Sequence, residues 1–258
     1  MFIETHTHLH HKRFNKDRDE VIKQMERQNV RRFLEISIGF ESNIVMREKL
    51  RDIPGVKFTA GIHPMYVWKS QENPEYLMDQ IARFARMQDT AAIGEVGLDH
   101  HIPETEEFWE LQEKWFHNFI QLSQAEHLPM VLHIRQAHEE GIRILKEHGN
   151  YHRGVVHCFE GSWKEAKQYV DLGLTLGIGG FVTMEKPGME EAVRKLPLDA
   201  ILLETDSPFV TPWPLTGRNT PANIPMIARK VADIRGISVE VIEAATMQNA
   251  IRLFGFET

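Results

Sequence analysis

The sequence predicts an α/β fold in which eight parallel strands, each followed by a helix, close into a (β/α)8 TIM barrel. Three observations predict it. Short apolar or β-branched runs recur about every 20 to 40 residues, stretches of helical periodicity separate them, and the length of 258 residues fits one such barrel. An open, doubly wound sheet is the alternative that this pattern allows. We expect residues 1–258 to form a single domain.

The strand assignment rests on the short apolar runs. Strands that are separated by helices pair in parallel, because a parallel pair needs a crossover of about a dozen residues. Eight such strands within the length of one domain favour a closed barrel over an open sheet. The predicted strands are Phe2–Thr5, Arg32–Ile38, Val56–Ile62, Ala91–Val96, Met130–Ile134, Val155–Phe159, Leu174–Ile178 and Ile201–Glu204.

The helices between these strands are indicated by apolar spacing. The clearest apolar stripe steps by three and four residues, with glutamates and a lysine largely off it. Its members are Phe108, Leu111, Trp115, Phe119 and Leu122. Two final helices, Ile224–Arg235 and Val239–Phe254, follow the eighth strand and should complete the outer ring.

Composition excludes several classes of protein. The 30 Lys and Arg against 37 Asp and Glu, a net charge of −7, argue against a protein that coats nucleic acid through bulk electrostatics. The single Cys cannot form an intrachain disulfide. The longest uncharged stretch, Leu172–Met184, is interrupted by four glycines and is shorter than the roughly 18 residues of a membrane helix. We therefore expect a cytoplasmic, monomeric protein that binds no membrane, and no protein partner is implied.

The informative polar residues stand where predicted strands end. In a parallel barrel the carboxyl ends of the strands and their loops form one concave face, so side chains from distant parts of the chain meet there. Six of the eight predicted strands deliver His, Glu, Asp or Arg at this point: Glu4, His6, His8, His63, Glu95, His133, Arg135, His157, Glu204 and Asp206.

Paired histidines and isolated carboxylates at these ends indicate metal binding. His6 and His8 are two residues apart, so both imidazoles point to one side of a strand and can bind one cation, although alone they could equally be solvated. Glu95 follows a buried run, where a carboxylate is costly without a cation; an ion pair with Arg135 is the ordinary alternative. The same cost applies to Asp206, and Glu204 should share its face.

His133 and His157 complete a set of four histidines and two carboxylates, which is enough for two divalent ions. This mixed set of ligands suits Zn²⁺ or Mn²⁺, and Mg²⁺ less well because it prefers oxygen. Cys158 alternates with His157 and should point away from the site as an inert thiol. Five further histidines are interpreted as surface or capping residues: His117, His127, His138, His148 and His152.

Five ordered motifs resemble those of the TatD-type metal-dependent hydrolases, a family of amidohydrolase-like barrels. They are Phe2–Leu9, Gly61–Pro64, Ile93–Asp99, His157–Phe159 and Glu204–Pro208. The resemblance implies that His6, His8 and Asp206 hold one divalent ion, that His133 and His157 hold a second, and that Glu95 bridges both. It also implies a deoxyribonuclease of the 3′–5′ exonuclease type, with DNA as substrate. Glu4, His10 and Gln136 stand where the family commonly has Asp, which affects substrate preference more than metal binding.

Hydrolysis by a metal-activated water is the chemistry that such a site serves. We expect Asp206, Glu95 and Glu204 to be catalytic, with Asp206 orienting the water or accepting its proton. His63 and Arg135 are the candidates to hold phosphate oxygens, Arg135 because its planar fork fits a phosphate.

Two other functions fit the same residues. A hydrolase of a small ester, lactone or amide is slightly favoured by the charge of −7, because long DNA would need a local positive patch. Lys12, Arg13, Arg135 and Arg218 could form one. A non-enzymatic protein with a structural metal is the third possibility, and it ranks last because structural zinc usually takes four protein ligands, often Cys.

Overall fold

The structure is a computed structural model that describes residues 1–71, 73–101, 105–184 and 186–257. Its eight strands form one parallel sheet in which each strand pairs with the next along the chain. They are β1 (Phe2–Thr7), β2 (Val30–Glu35), β3 (Val56–Ala60), β4 (Thr90–Asp99), β5 (Met130–Arg135), β6 (Gly154–Val156), β7 (Thr175–Ile178) and β8 (Ile201–Leu203). All eight predicted strands are present, and the predicted barrel is confirmed.

Helices alternate with the strands and form the outer layer. They are α1 (Arg18–Arg27), α2 (Phe40–Leu50), α3 (Pro74–Ala85), α4 (Glu106–Glu126), α5 (His138–Glu147), α6 (Trp163–Asp171), α7 (Pro187–Lys195), α8 (Ile224–Arg235) and α9 (Val239–Phe254). The last two have the predicted bounds. In α4 the predicted stripe is buried at Phe108, Trp115 and Phe119. Among the described residues, no helix combines the length and apolar character needed to cross a membrane.

The first and last strands meet at their carboxyl ends. Thr7 and Ser207 form a parallel bridge, and the N–H of His8 donates to the carbonyl of Ser207 at 2.8 Å. One step earlier, the N–H of Asp206 donates to the carbonyl of His6 at 2.9 Å. Closure of the barrel therefore brings Asp206 to the two histidines of β1, about 200 residues away in the chain.

The opposite end of the barrel is apolar. A cluster that we call the basal core draws mainly on the first residues of the strands and is covered by α9. The side-chain amide of Asn249 in α9 donates to the carbonyls of Leu198 and Ile201, both at 2.8 Å, and so joins this helix to the start of β8. The buried members of the basal core are Ile3, Leu34, Ile36, Ala91, Ala92, Val131, Val155, Leu202, Ala250, Phe254 and Phe256.

Candidate metal centre

Four donor atoms from three strand ends converge at the mouth of the barrel. Nε2 of His6 lies 3.3 Å from Nε2 of His8 and 3.5 Å from Oε2 of Glu95. Oδ1 of Asp206 lies 3.6 Å from Nε2 of His6 and 3.3 Å from Nε2 of His8. Two atoms that are each about 2.1 Å from one tetrahedral ion lie roughly 3.4 Å apart. The four atoms therefore have the spacing of ligands around a single cation.

A second group of donor atoms lies around the other carboxylate oxygen of Glu95. Oε1 of this carboxylate lies 2.8 Å from Nδ1 of His133 and 2.7 Å from Nε2 of His157, and these two nitrogens are 3.0 Å apart. Glu95 thus directs one oxygen to each group.

A β-bulge places Glu95 between the two groups. Along β4 and β5, Gly94 pairs with Val131 and Val96 with Leu132, so Glu95 is an extra residue without a partner in the ladder. Its N–H donates instead to the carbonyl of Ser37, at 2.8 Å. The bulge turns this side chain into the mouth, at a position that regular alternation along the strand does not predict.

Acceptors behind two of the histidines decide which ring nitrogen carries the proton. Nδ1 of His8 faces the carbonyl of Ile36 at 3.2 Å, and Nε2 of His133 faces Oδ2 of Asp99 at 3.1 Å. Nδ1 of His157 faces Oε1 of Glu204 at 3.6 Å. Because the carbonyl of Ile36 and the ionised Asp99 only accept, the neutral rings of His8 and His133 carry their proton on the nitrogen that faces these oxygens, and the opposite nitrogen is then available to a cation; the contact of His157 with Glu204 is longer than a hydrogen bond.

His63 has the opposite arrangement. Its Nδ1 accepts the backbone N–H of Met65 at 3.1 Å, so the neutral ring carries its proton on Nε2, which lies 3.5 Å from Oε1 of Glu95. Burial, together with the nearby His133, lowers the pKa of His63 to about 3, so the ring is neutral at physiological pH. His63 therefore presents a hydrogen-bond donor to the site, whereas in His8 and His133 it is the nitrogen turned away from the site that faces an acceptor.

Both carboxylates of the site are ionised at neutral pH. Burial alone would raise the pKa of Glu95, but His157, His63 and His6 outweigh it and hold that pKa well below its usual value. Burial likewise opposes the charge of Asp206, yet the contacts with His8 and His6 lower the pKa of this carboxyl. No Lys or Arg of the described residues forms an ion pair with either group. Two anionic carboxylates and converging lone pairs fit divalent cations well.

The structure places the remaining predicted residues elsewhere. Arg135 is exposed at the end of β5 and makes no ion pair with Glu95, so the alternative of a buried Glu95–Arg135 pair is wrong. Glu204 lies behind His157 instead of beside Asp206, because β8 ends at Leu203 and Asp206 adopts a left-handed backbone with φ of 55°.

The prediction that Cys158 points away from the site is wrong. β6 ends at Val156 and Cys158 has φ of 49°, so strand alternation no longer applies. Its sulfur, a nitrogen of His157 and an oxygen of Glu204 all lie within 4.8 Å of one another. Burial and the surrounding carboxylates raise the pKa of the thiol well above its usual value, so it stays protonated at neutral pH.

Sequence reasoning assigned no supporting role to two carboxylates that lie behind the site. Asp99 holds His133, and Glu4 accepts the N–H of His6 at 2.9 Å and both the N–H and the hydroxyl of Thr205 at 3.0 and 2.6 Å. Burial raises the pKa of Glu4 well above its usual value. The signal was present, because each acidic residue directly follows apolar residues of its strand, Ile3 before Glu4 and Leu98 before Asp99.

The five histidines of the helical stretches lie outside the centre, as surface or helix-end residues, although two of them are half-buried or buried. His138 is half-buried and bonds to the hydroxyl of Tyr169 at 2.9 Å. His152 is buried and donates from Nε2 to the carbonyl of Leu145 at 2.8 Å, in the last turn of α5. His117 and His148 pair with each other at 2.7 Å.

Known proteins share both the sequence and the fold. Residues 3–255 match the family model described as TatD related DNase. An uncharacterized metal-dependent hydrolase of Bacillus subtilis, YabD, is 33% identical over 98% of this chain and 99% of its own length. The 3′-5′ ssDNA/RNA exonuclease TatD of Klebsiella pneumoniae is 34% identical over 95% of this chain and 94% of its own length.

Solved structures agree with this relationship. The TatD homologue YjjV of Escherichia coli superimposes with a TM-score of 0.90 at 25% identity, over 99% of this chain and 98% of its own. A TatD-family hydrolase from Entamoeba histolytica shares the fold, with a TM-score of 0.87 at 22% identity over 98% of this chain and 97% of its own. Sequence, fold and the arrangement of histidines and carboxylates agree, and the chain belongs to the TatD-related DNase family of metal-dependent hydrolases.

Proposed function

We propose that this hydrolase is a nuclease that uses two divalent cations to remove nucleotides from the 3′ ends of single-stranded DNA. The observation that carries the proposal is the position of the Glu95 carboxylate, whose two oxygens face two separate groups of donor atoms. Paired cations about 3.5–4 Å apart are the arrangement that serves phosphodiester hydrolysis, since they act on the attacking and leaving oxygens together. The exonuclease relative of Klebsiella pneumoniae supports the choice of substrate.

His6, His8 and Asp206 would hold one cation, His133 and His157 the other, and Glu95 both. The mixture of imidazole and carboxylate favours Zn²⁺ or Mn²⁺ over Mg²⁺. When bound, such cations act as Lewis acids that lower the pKa of water and neutralise the charge that develops on the phosphoryl group.

Asp206 is the residue that handles the proton of the attacking water. Its carboxylate is anionic at neutral pH and lies at the open side of the first group, with its side chain 15% exposed. The side chains of His6 and Glu95, in contrast, are at most 3% exposed. Asp206 therefore meets both the donor atoms and incoming water, and it orients that water and accepts its proton.

His63 and Arg135 hold the phosphate. The N–H on Nε2 of the neutral His63 points into the second group, where it donates to a non-bridging phosphate oxygen. Arg135, exposed at the end of β5, provides a planar cation for the same group. Glu204 acts through His157 as a positioning residue, because it contacts the ring nitrogen opposite the donor atom.

Charge at the mouth matters because the chain as a whole carries −7. Of the predicted patch, Arg218 is already bound to Asp17 through contacts of 2.6 and 2.8 Å. Lys12 and Arg13 are exposed beside the centre and remain available for a phosphate backbone.

The decisive experiment is metal reconstitution. The protein is stripped with a chelator, reloaded with Mn²⁺, Zn²⁺ or Mg²⁺, and incubated with end-labelled single-stranded DNA beside a His6→Ala/His8→Ala control. We expect metal-dependent shortening from the 3′ end, absent in the control. Asp206→Asn should lower kcat by about 10²- to 10⁴-fold while folding normally. Near-normal turnover by Asp206→Asn would remove it from the mechanism.

A small-molecule hydrolase is the second candidate, and a cavity favours it. A space of about 450 Å³ follows the ends of β2 and β3 and is lined by Ile38, Phe40, Ile62 and Tyr66, among others; its lining includes Ile62, which precedes His63 in the chain, but none of the candidate metal ligands. This volume suits a small ester, lactone or amide. Stoichiometric metal binding without cleavage of DNA would support this candidate. Weak dependence of turnover on salt would support it as well, because phosphate contacts weaken steeply as salt is added.

We also propose that residues 1–258 act as one domain. The strands of the barrel extend from Phe2 to Leu203, and α9 returns to cover the end of the barrel where β1 begins. Limited proteolysis should leave the metal-loaded chain intact, whereas two stable fragments would contradict a single domain.

A further inference from the structure

An exposed aromatic ring stands on the rim of the metal centre. Phe209 follows Asp206 by three residues, and its N–H donates to the carbonyl of Asp206 at 2.8 Å. The side chain is 41% exposed, so the core does not account for it. Its ring centroid lies 6.0 Å from the ring of His8 and 5.6 Å from that of His11, both in edge-on arrangements. The ring therefore borders the donor atoms on one side and solvent on the other.

A cation lies over this ring. The guanidinium carbon of Arg13 is 5.6 Å from the centroid of Phe209, within the range of a cation–π contact. Arg13 is exposed, and no carboxylate of the described residues forms an ion pair with it. Its neighbour Arg218 differs, because both terminal nitrogens of Arg218 bind Asp17 and one also donates to the backbone carbonyl of Arg13. One of the two arginines is thus committed to an ion pair, and the other is free to bind an anion.

We propose that Phe209 and Arg13 form a binding platform for single-stranded nucleic acid next to the metal centre. Phe209 stacks on a base of the substrate, and Arg13 contacts a phosphate beside it. The inference rests on the proposed nuclease function and adds to it the residue that selects single strands. A stacked aromatic ring accepts any base, because every base has a π-face. A paired base in a duplex already stacks on its neighbours and cannot be offered to the ring.

Coupling between the ring and one base tests the platform. Wild type and Phe209→Leu are compared on single-stranded oligonucleotides that are intact or carry one abasic residue at the first, second or third position from the 3′ end. Leu keeps the apolar contact with His8 but has no π-face. We expect Phe209→Leu to lower kcat/KM on the intact strand by about 5- to 100-fold. At one of the three positions, the abasic residue should lower the kcat/KM of the wild type by a similar factor. The same abasic residue should leave the kcat/KM of Phe209→Leu almost unchanged.

Binding measurements separate this inference from the nuclease proposal. The same comparison is made by fluorescence anisotropy in the Asp206→Asn background, where turnover is not required. Coupling in binding without cleavage by the wild type would reject the nuclease and keep the platform. The wild type could instead cleave the strand while the effects of Phe209→Leu and of the abasic residue simply multiply at all three positions. That result would reject the platform and keep the nuclease.

Three controls exclude a merely structural role. Phe209→Trp should restore both affinity and coupling, and Phe209→Leu should bind as much metal as wild type. Tyr151→Leu removes an aromatic ring that is 73% exposed just before β6, at the other end of the barrel, and should change neither kcat/KM nor coupling.

Arg13→Gln should reduce the slope of log K against log salt by about 0.7, the contribution of one phosphate contact on a single strand. An unchanged slope would remove Arg13 from the platform.

Discussion

The two ends of the barrel are built from the same strands but differ in chemistry. At the basal end, the strands contribute small and branched apolar residues such as Ile3, Val131 and Leu202, and α9 covers them. At the mouth, the same strands end in histidines and carboxylates that are almost as deeply buried; Glu95 is only 2% exposed and His6 0%. The basal end buries apolar surface, which stabilises the fold, whereas the mouth buries charge, which costs stability unless a cation compensates it.

The backbone of the mouth is irregular at several residues of the site. Cys158 and Asp206, two residues of the mouth, have positive φ values of 49° and 55°, and the bulge of β4 lies at Glu95. At the basal end the register of β5 with β6 is regular, from Met130 paired with Gly154 onward. Irregular backbone is not confined to the mouth, since β1 shifts its register between Phe2 and Ile3 and His127, shortly before β5, has φ of 55°; at the mouth, however, it brings polar side chains together.

The largest expected effect tests the basal end. Phe254→Ala should lower the free energy of unfolding by about 3–5 kcal/mol, because it opens a cavity in the basal core. The folded variant should keep the kcat of the wild type. Urea denaturation and steady-state kinetics measure the two effects. Val241→Ala, on the same helix but 45% exposed, is the matched control and should change stability by less than about 0.5 kcal/mol. A large loss of kcat in folded Phe254→Ala would show that the two ends are not independent.

Metal binding at the mouth should raise the free energy of unfolding of the folded chain. Addition of Zn²⁺ or Mn²⁺ to the stripped protein at about 100 times its Kd should raise the free energy of unfolding by about 2.7 kcal/mol, since only the folded chain brings the donor atoms together. Chemical denaturation with and without metal measures this difference. The His6→Ala/His8→Ala variant should gain clearly less, and an equal gain would place the metal elsewhere in the chain.

A smaller effect is expected behind the donor atoms. Asp99→Asn weakens the contact that holds the proton on Nε2 of His133 and should lower metal affinity or activity by about 10- to 100-fold. Competition with a chromophoric chelator measures the affinity. Asp199→Asn, an exposed change just before β8, is the control and should leave the affinity unchanged. Equal affinities for Asp99→Asn and wild type would show that Asp99 does not support the ligand.

The smallest effect concerns the ion pair at the rim. The hydrogen bonds from Arg218 lower the pKa of Asp17, so the pair stabilises the fold above the pKa of the unfolded Asp and loses this contribution as pH falls through the lower, folded value. Because the side chain of Asp17 is 42% exposed, Asp17→Asn should cost less than about 1 kcal/mol at pH 7. The cost should shrink in acid and in high salt, as thermal melts can measure. A cost that is independent of pH would contradict an electrostatic origin.

Much of the fold was predictable from the sequence, because hydrophobic periodicity reports local structure directly. The eight apolar runs became eight strands, and both final helices have the predicted bounds. The ends of β2 and β6 were less accurate, since the predicted strands continued through Ile38 and Phe159, each three residues beyond the observed end. Those residues look like strand residues to any local rule, but the requirements of the mouth end the ladder there.

The candidate site was likewise predictable in part: the residue types could be read from the sequence, but their contacts could not. Which residue types stand at the strand ends can be read from the order of residues alone, and in a parallel barrel a cluster of His, Glu and Asp must then meet on one face. Their arrangement depends on the folded barrel: closure brings Asp206 to His8, the bulge places one oxygen of Glu95 in each of two groups, the Met65 N–H fixes the proton of the neutral His63 on Nε2, and Asp99 faces Nε2 of His133. The physical reason is that residue type and strand position are local properties of the chain. Protonation, by contrast, depends on which atom lies behind each ring, and that atom belongs to another part of the chain.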